Sequence, residues 1–177
     1  MVDQQVADLD ALVEELEKSA TAPDSEALLK LANILAKPFD VKTDEVAVFK
    51  LVPKYKSLKF VIPEKLTPVG TIPLTSTTAL AARTARDRKG ELANNFGTSR
   101  HANVFEAVPL GRAPSEMIQK IISAPILDGK AIHGVVQICR KAGTLAGAGP
   151  DFTQKDLRAL AALSPMLDRF LRLCKID

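Results

Sequence analysis

The sequence predicts a mixed α/β chain of the α+β kind, an antiparallel sheet framed by helices, and three observations predict it. Apolar residues recur at helical spacing near the start of the chain and again near its end. Between these stretches the period falls to two, over residues 45–52, 58–62 and 117–141. Within the last of them Asp128-Gly129 divides two apolar runs, which is the composition of a tight turn between antiparallel strands.

Val6, Leu9, Val13 and Leu16, with Leu12 beside them, follow one another at steps of three and four. Residues 1–22 therefore read as an N-terminal amphipathic helix, and residues 23–177 as the domain proper. Thr21-Ala22-Pro23 ends that helix, and Asp24 is suited to cap a second one, in which Leu28, Leu31, Ile34 and Leu35 form the buried stripe before Pro38. The run from Val46 to Val52 is apolar enough for a strand buried on both faces; Pro53 stops it, and Leu58, Phe60 and Ile62 belong to the returning strand. Pro63, Pro68, Gly70 and Pro73 mark a shaped connection. Thr75 or Ser76 is placed to cap a helix carrying Leu80, Ala81 and Ala85 and ending near Lys89-Gly90. A short strand at 91–94 follows. Residues 97–101 read as irregular, 102–108 as one or two helical turns, and Pro109, Gly111 and Pro114 as a loop.

In the hairpin, Ile118, Ile122, Ala124 and Ile126 fall on one face of the first strand with Ile121 on the other. Ile132, Val136 and Ile138 oppose Ala131, His133, Val135, Gln137 and Cys139 on the second. Gly143, Gly147 and Gly149 read as a flexible loop. Thr153 and Asp156 then have capping-box spacing, with Phe152 and Leu157 at the staple positions. Leu157, Leu160, Leu163, Leu167, Phe170 and Leu171 give the closing helix, about 154–173, a wide apolar stripe.

At 177 residues and 46% hydrophobic composition, one domain is expected, burying roughly 70% of the surface its unfolded chain would expose. The acidic, polar start has the wrong sign for a secretory or transit peptide, and no apolar run is long enough to span a bilayer, so a soluble cytoplasmic protein is expected. Residues 1–45 carry eleven acids and four bases, residues 46–177 ten acids and twenty bases. An acidic helical arm docked on a basic body accounts for this asymmetry; a basic surface for an anionic partner is the functional alternative. Lys50, Lys54, Lys56 and Lys59 surround Tyr55, and Arg83, Arg86, Arg88 and Lys89 gather at a helix end, where the dipole favours cations. With one Tyr and no Trp to stack on bases, nucleic acid is not the expected partner.

The order of elements and the local residues of the last third resemble a GAF domain, a small-molecule-sensing fold of signalling proteins. Ser123-Ala124-Pro125-Ile126 and Gly134-Val135-Val136-Gln137-Ile138 are similar to the small-Pro-Ile and Gly-Val-Leu-Gln-Leu stretches of that family's hairpin. Phe152-Thr153-Gln154-Lys155-Asp156 is similar to the Phe-Thr-x-x-Asp start of its last helix. The resemblance covers roughly residues 25–174, with its motifs in 117–171. Lys141, Phe152 and Asp156 also fit the pattern of the cyclic-nucleotide-binding subgroup, but Arg140 and Leu157 stand where that subgroup has Asn and Glu.

The resemblance implies a GAF/PAS-like sheet with both terminal helical segments on one face and an irregular helical segment over the other, the ligand lying under that segment. Side chains placed to enter such a pocket are Arg83, Asn94, Asn95, Ser99, Arg100, His101 and Gln137, with Phe96 and Phe105 as apolar walls. A non-catalytic sensor without cofactor or metal is expected, signalling to a downstream protein; the alternative is a protein-interaction module whose pocket is filled by side chains. A homodimer is expected through Val6, Leu9, Val13, Leu16, Leu167 and Leu171, because the terminal helices carry more apolar surface than one sheet face needs.

Catalytic patterns are missing. Free methionine sulfoxide reductases of this fold use clustered cysteines in the middle segment, whereas the only cysteines here are Cys139 and Cys174, which read as buried thiols. Neither His101 nor His133 sits in a ligand-spaced motif, and no phosphate-binding loop or nucleophile elbow is present. His133 reads as a partly buried or surface residue.

Overall fold

The period-two runs become four of the six strands in the computed structural model, which describes residues 2–68, 70–98 and 117–176. The six are β1 (Val46–Val52), β2 (Ser57–Ile62), β3 (Thr71–Pro73), β4 (Glu91–Ala93), β5 (Ile118–Asp128) and β6 (Ala131–Lys141). They lie in the order β3-β2-β1-β6-β5-β4, every neighbouring pair antiparallel, so the first and last hairpins join at the centre through β1 and β6. β3 lies where only a connection was expected. Pro73 disguises it, and an edge strand is where a residue without an N–H is tolerated.

The α-helices among the described residues are α1 (Val2–Ser19), α2 (Ser25–Ala36), α3 (Leu80–Asp87), α4 (Gln154–Ala161) and α5 (Ser164–Leu173). Asp24 caps α2 by accepting the Ala27 amide at 2.9 Å. Thr153 and Asp156 complete their capping box at 3.2 and 2.8 Å. The closing helix expected as one piece is two. Pro165, in the first turn of α5, has no N–H and its ring excludes a continuous helical path, so the chain breaks at Ala162-Leu163 while the apolar stripe runs on across the break. α3 begins later than expected: Ser76 accepts the Ala79 amide at 3.1 Å and the regular helix starts at Leu80.

Three bulges reset the faces of the sheet. Val61 on β2, Gln119 on β5 and His133 on β6 are extra residues opposite single steps of their partners. Ile118 thus joins Ile121 on one face rather than Ile122 on the other, and Ile132 and His133 exchange the sides that alternation alone assigns them. The β5–β6 turn is displaced by one residue. Asp128 pairs with Ala131, so Gly129-Lys130 make the turn, and only Gly129 needs positive φ, at 59°.

The core forms one layer on each face of the sheet. On one side Val46, Val48, Ile122, Ala124, Ile126, Val136 and Ile138 pack against α2, α4 and α5, and α1 lies in the groove between α2 and α5. On the other side Ala47, Phe49, Leu58, Phe60, Ile121, Val135 and Cys139 pack beneath α3, Leu66 and Phe96. The assignment of the terminal-helix stripes to a dimer seam is corrected by this packing. Leu9, Val13, Leu167 and Leu171 are fully buried within the chain's own core, and Val6 and Leu16 pack half-buried at its margin. The surplus apolar surface of α1 goes to a second helical layer. No helix among the described residues is long and apolar enough to cross a membrane.

Candidate functional site

On the α3 face of the sheet the apolar layer is interrupted by three hydrogen-bonded polar side chains. Ser123 of β5 stands directly across from Gln137 of β6, and Thr84 of α3 lies over them. Gln137 Nε2 donates to Ser123 Oγ at 3.1 Å; Ser123 and Thr84 share a 2.8 Å hydroxyl contact; Thr84 donates to the Leu80 carbonyl at 2.9 Å. Each hydroxyl has one proton, and Thr84 gives its own to Leu80. Ser123 therefore donates to Thr84, and the three bonds run in one direction from Gln137 to the α3 backbone. All three residues are buried. The array offers hydroxyl and amide groups in a dry environment, with no ionised group in the chain, so its chemistry is hydrogen bonding.

Of the expected pocket residues, Gln137 and Phe96 lie on this face. Arg83 points to the rim, where Nε bonds Glu91 Oε2 at 2.8 Å and ties α3 to β4. Asn94 has both ends of its amide engaged by the backbone of Phe152, each at 2.9 Å, and so pins β4 to the approach of α4. Asn95 is exposed. Ser99, Arg100, His101 and Phe105 lie outside the described residues. Thr84 and Ser123 were not anticipated. Ser123 was legible in principle, as the polar residue across from Gln137 once the hairpin register is counted; Thr84 depends on where α3 docks.

Around the polar array the described part of the face is closely packed. Phe49 and Phe60 meet with ring centroids 4.4 Å apart, and the Phe60 ring lies so near Gly70 that a Cβ there would stand 2.2 Å from it. Two grooves lie elsewhere, on the α2 side of the sheet edge. One of about 270 Å³ is lined by Ser25, Leu29, Asp44, Ile62 and Lys65; another of about 380 Å³ by Pro23, Val61, Pro68 and Lys175, the two sharing Leu28 and Glu64.

The cysteines are separated by the sheet. Cys139 is buried beneath α3, and Cys174 is buried on the helical side, where loss of solvent pushes its thiol up to about 11 despite nearby Lys50. A nucleophile and resolving partner cannot meet across the sheet.

No protein-family model and no curated protein matches the chain. Solved structures do. The GAF domain of a phosphoenolpyruvate-protein phosphotransferase from Acinetobacter is 17% identical over 97% of this chain and 95% of that one, with a TM-score of 0.65. The corresponding domain from Coxiella burnetii is 10% identical over 94% and 95%, at 0.62. A free methionine-R-sulfoxide reductase from Neisseria meningitidis, solved with its substrate, is 14% identical over 96% and 88%, at 0.60. The chain has the fold of GAF domains.

Proposed function

We propose that this chain, built on the GAF-domain fold, is a non-catalytic sensory domain that binds a small polar molecule on the α3 face of its sheet. The array of Gln137, Ser123 and Thr84 is the observation that carries the reading. A packed apolar face would be as stable with valine or alanine at these positions, because replacing both partners of a buried hydrogen bond by apolar groups costs little. Polar groups retained there are ready to exchange their partners for those of a ligand. The enzymatic use of this fold in the sulfoxide reductase is not proposed, since the middle segment has no cysteine and the two thiols lie on opposite faces. Self-association belongs to the reading, through surface other than the buried stripes of α1 and α5.

A second reading, an interaction module with a filled pocket, is favoured by the close packing of Phe60, Gly70 and the alanines of α3. One experiment separates the two. Purified protein is denatured and the released small molecules are identified by mass spectrometry, followed by thermal-shift measurements with nucleotides and metabolites. The sensor reading expects a stoichiometric compound or a shift of several degrees with one chemical class. It also expects that shift to vanish in a Ser123→Ala, Gln137→Leu double variant that still folds. Nothing released and no shift selects the interaction module.

A further inference from the structure

The bulge on β6 gives His133 a direction that strand alternation would deny it. Ile126 pairs with Gly134 and Leu127 with Ile132, leaving His133 as the extra residue. Its imidazole turns towards the helical face, where Nδ1 meets Asp168 Oδ1 at 2.5 Å. Asp168 belongs to α5 and is buried, its side chain only 8% exposed, while Asp128 closes β5 beside it in solvent. One donor atom from each of Asp128, His133 and Asp168 falls within 4.8 Å of the others, so three elements converge three potential ligands.

A cation already sits among them. Arg172 gives Nε to Asp168 Oδ2 at 3.0 Å and Nη2 to Asp128 Oδ2 at 2.6 Å. Its side chain is 56% exposed, so its pair with the exposed Asp128 is weak and the guanidinium can turn into water once another cation takes its place beside Asp168. With a neutral imidazole, two carboxylates against one guanidinium still leave the cluster negative.

We propose that Asp128, His133 and Asp168 bind one divalent transition-metal ion of the zinc class, and that Arg172 is the internal cation it displaces. The imidazole donor favours such ions over magnesium and calcium, which take oxygen ligands. Bonds of about 2.0–2.2 Å place tetrahedral donors about 3.3–3.6 Å apart, so His133 Nδ1 and Asp168 Oδ1, now hydrogen-bonded, would separate by about an ångström while any donors as far apart as 4.8 Å draw together by side-chain rotation. To ligate through Nδ1, His133 would take the neutral tautomer that carries its proton on Nε2. The metal would fasten the hairpin turn to α5, the joint Arg172 now holds. This site is on the opposite side of the sheet from Gln137 and stands independently of the ligand reading.

Titration of chelator-treated protein with Co2+ alone, followed by visible absorption and then by competition with Zn2+, tests it. One saturable equivalent is expected. His133→Ala should weaken binding about tenfold or more, while Arg172→Ala, relieved of the competing cation, should tighten it. Circular dichroism melts establish that each variant folds, and His133→Gln serves if the alanine variant does not. Absence of a saturable band in both wild type and Arg172→Ala overturns the site, as does unchanged affinity in the His133 variants. An Arg172→Ala affinity no tighter than wild type overturns the displacement.

Discussion

Gly134 is the position at which β6 touches three neighbours, pairing with Ile126 of β5 and Lys50 of β1 while α5 crosses above. A Cβ there would stand 2.2 Å from the Phe49 carbonyl oxygen and 2.5 Å from Leu171 Cδ1. The leucine can turn aside; the carbonyl, fixed in the middle of the sheet, cannot. Gly134→Ala is therefore expected to destabilise the fold by about 1–3 kcal/mol, the range of overpacked cores. It should appear as a lower urea midpoint with an unchanged slope. A midpoint equal to that of the wild type would mean that the Phe49 carbonyl does not lie this close to Gly134. The same scale explains which single residues could be read in advance. Asp24 and Thr153 cap helices through atoms three residues away, so spacing suffices to find them. Asn94 could not be told from a pocket residue, because its partner Phe152 is 58 positions distant.

Among the elements, α1 shows how a correct helix acquires the wrong neighbour. Its stripe was legible from spacing, but spacing does not say whether the seam meets a second copy or the groove between α2 and α5. Leu9 and Val13 settle it by being wholly enclosed within one chain. Leu9→Ala should cost about 2–5 kcal/mol, as expected for truncating a core leucine, and leave the oligomeric state in sedimentation unchanged. A change of association state with little loss of stability would return α1 to an interface role. The strands teach a related lesson. Their existence followed from period-two patterning, yet the faces of Ile118, Ile132 and His133 followed from bulges, which arise only when two strands are laid against one another. The candidate site suffered in the same way: Gln137 was visible as a polar interruption, while Ser123 and Thr84 needed the register and the docking of α3. Pro165 was in plain view, but a stripe that continues through the break concealed that one helix had become two.

Across the whole molecule, the acidic beginning and basic remainder meet through a specific clasp. Arg169 of α5 reaches Asp10 at 2.6 Å and Glu17 at 2.8 Å, both on α1, so part of the charge asymmetry is consumed in holding the outer helical layer to the body. The hydrogen bond from Arg169, aided by its charge, lowers the Glu17 carboxyl below its ordinary value of 4.5. A carboxyl depressed in the folded state contributes stability that is complete above its unfolded value and disappears as the pH falls through the folded one. The melting temperature of the wild type should therefore exceed that of Arg169→Gln by a constant margin at neutral pH, and the two should converge as the pH drops below 4.5. Because the pair is in solvent, the margin should be smaller than the loss from Leu9→Ala and should shrink when salt is added. Melts of both proteins between neutral and acid pH, at low and high salt, provide the measurement. A margin that persists undiminished in acid would assign the role of Arg169 to the packing of its aliphatic stem against α1 rather than to its charge.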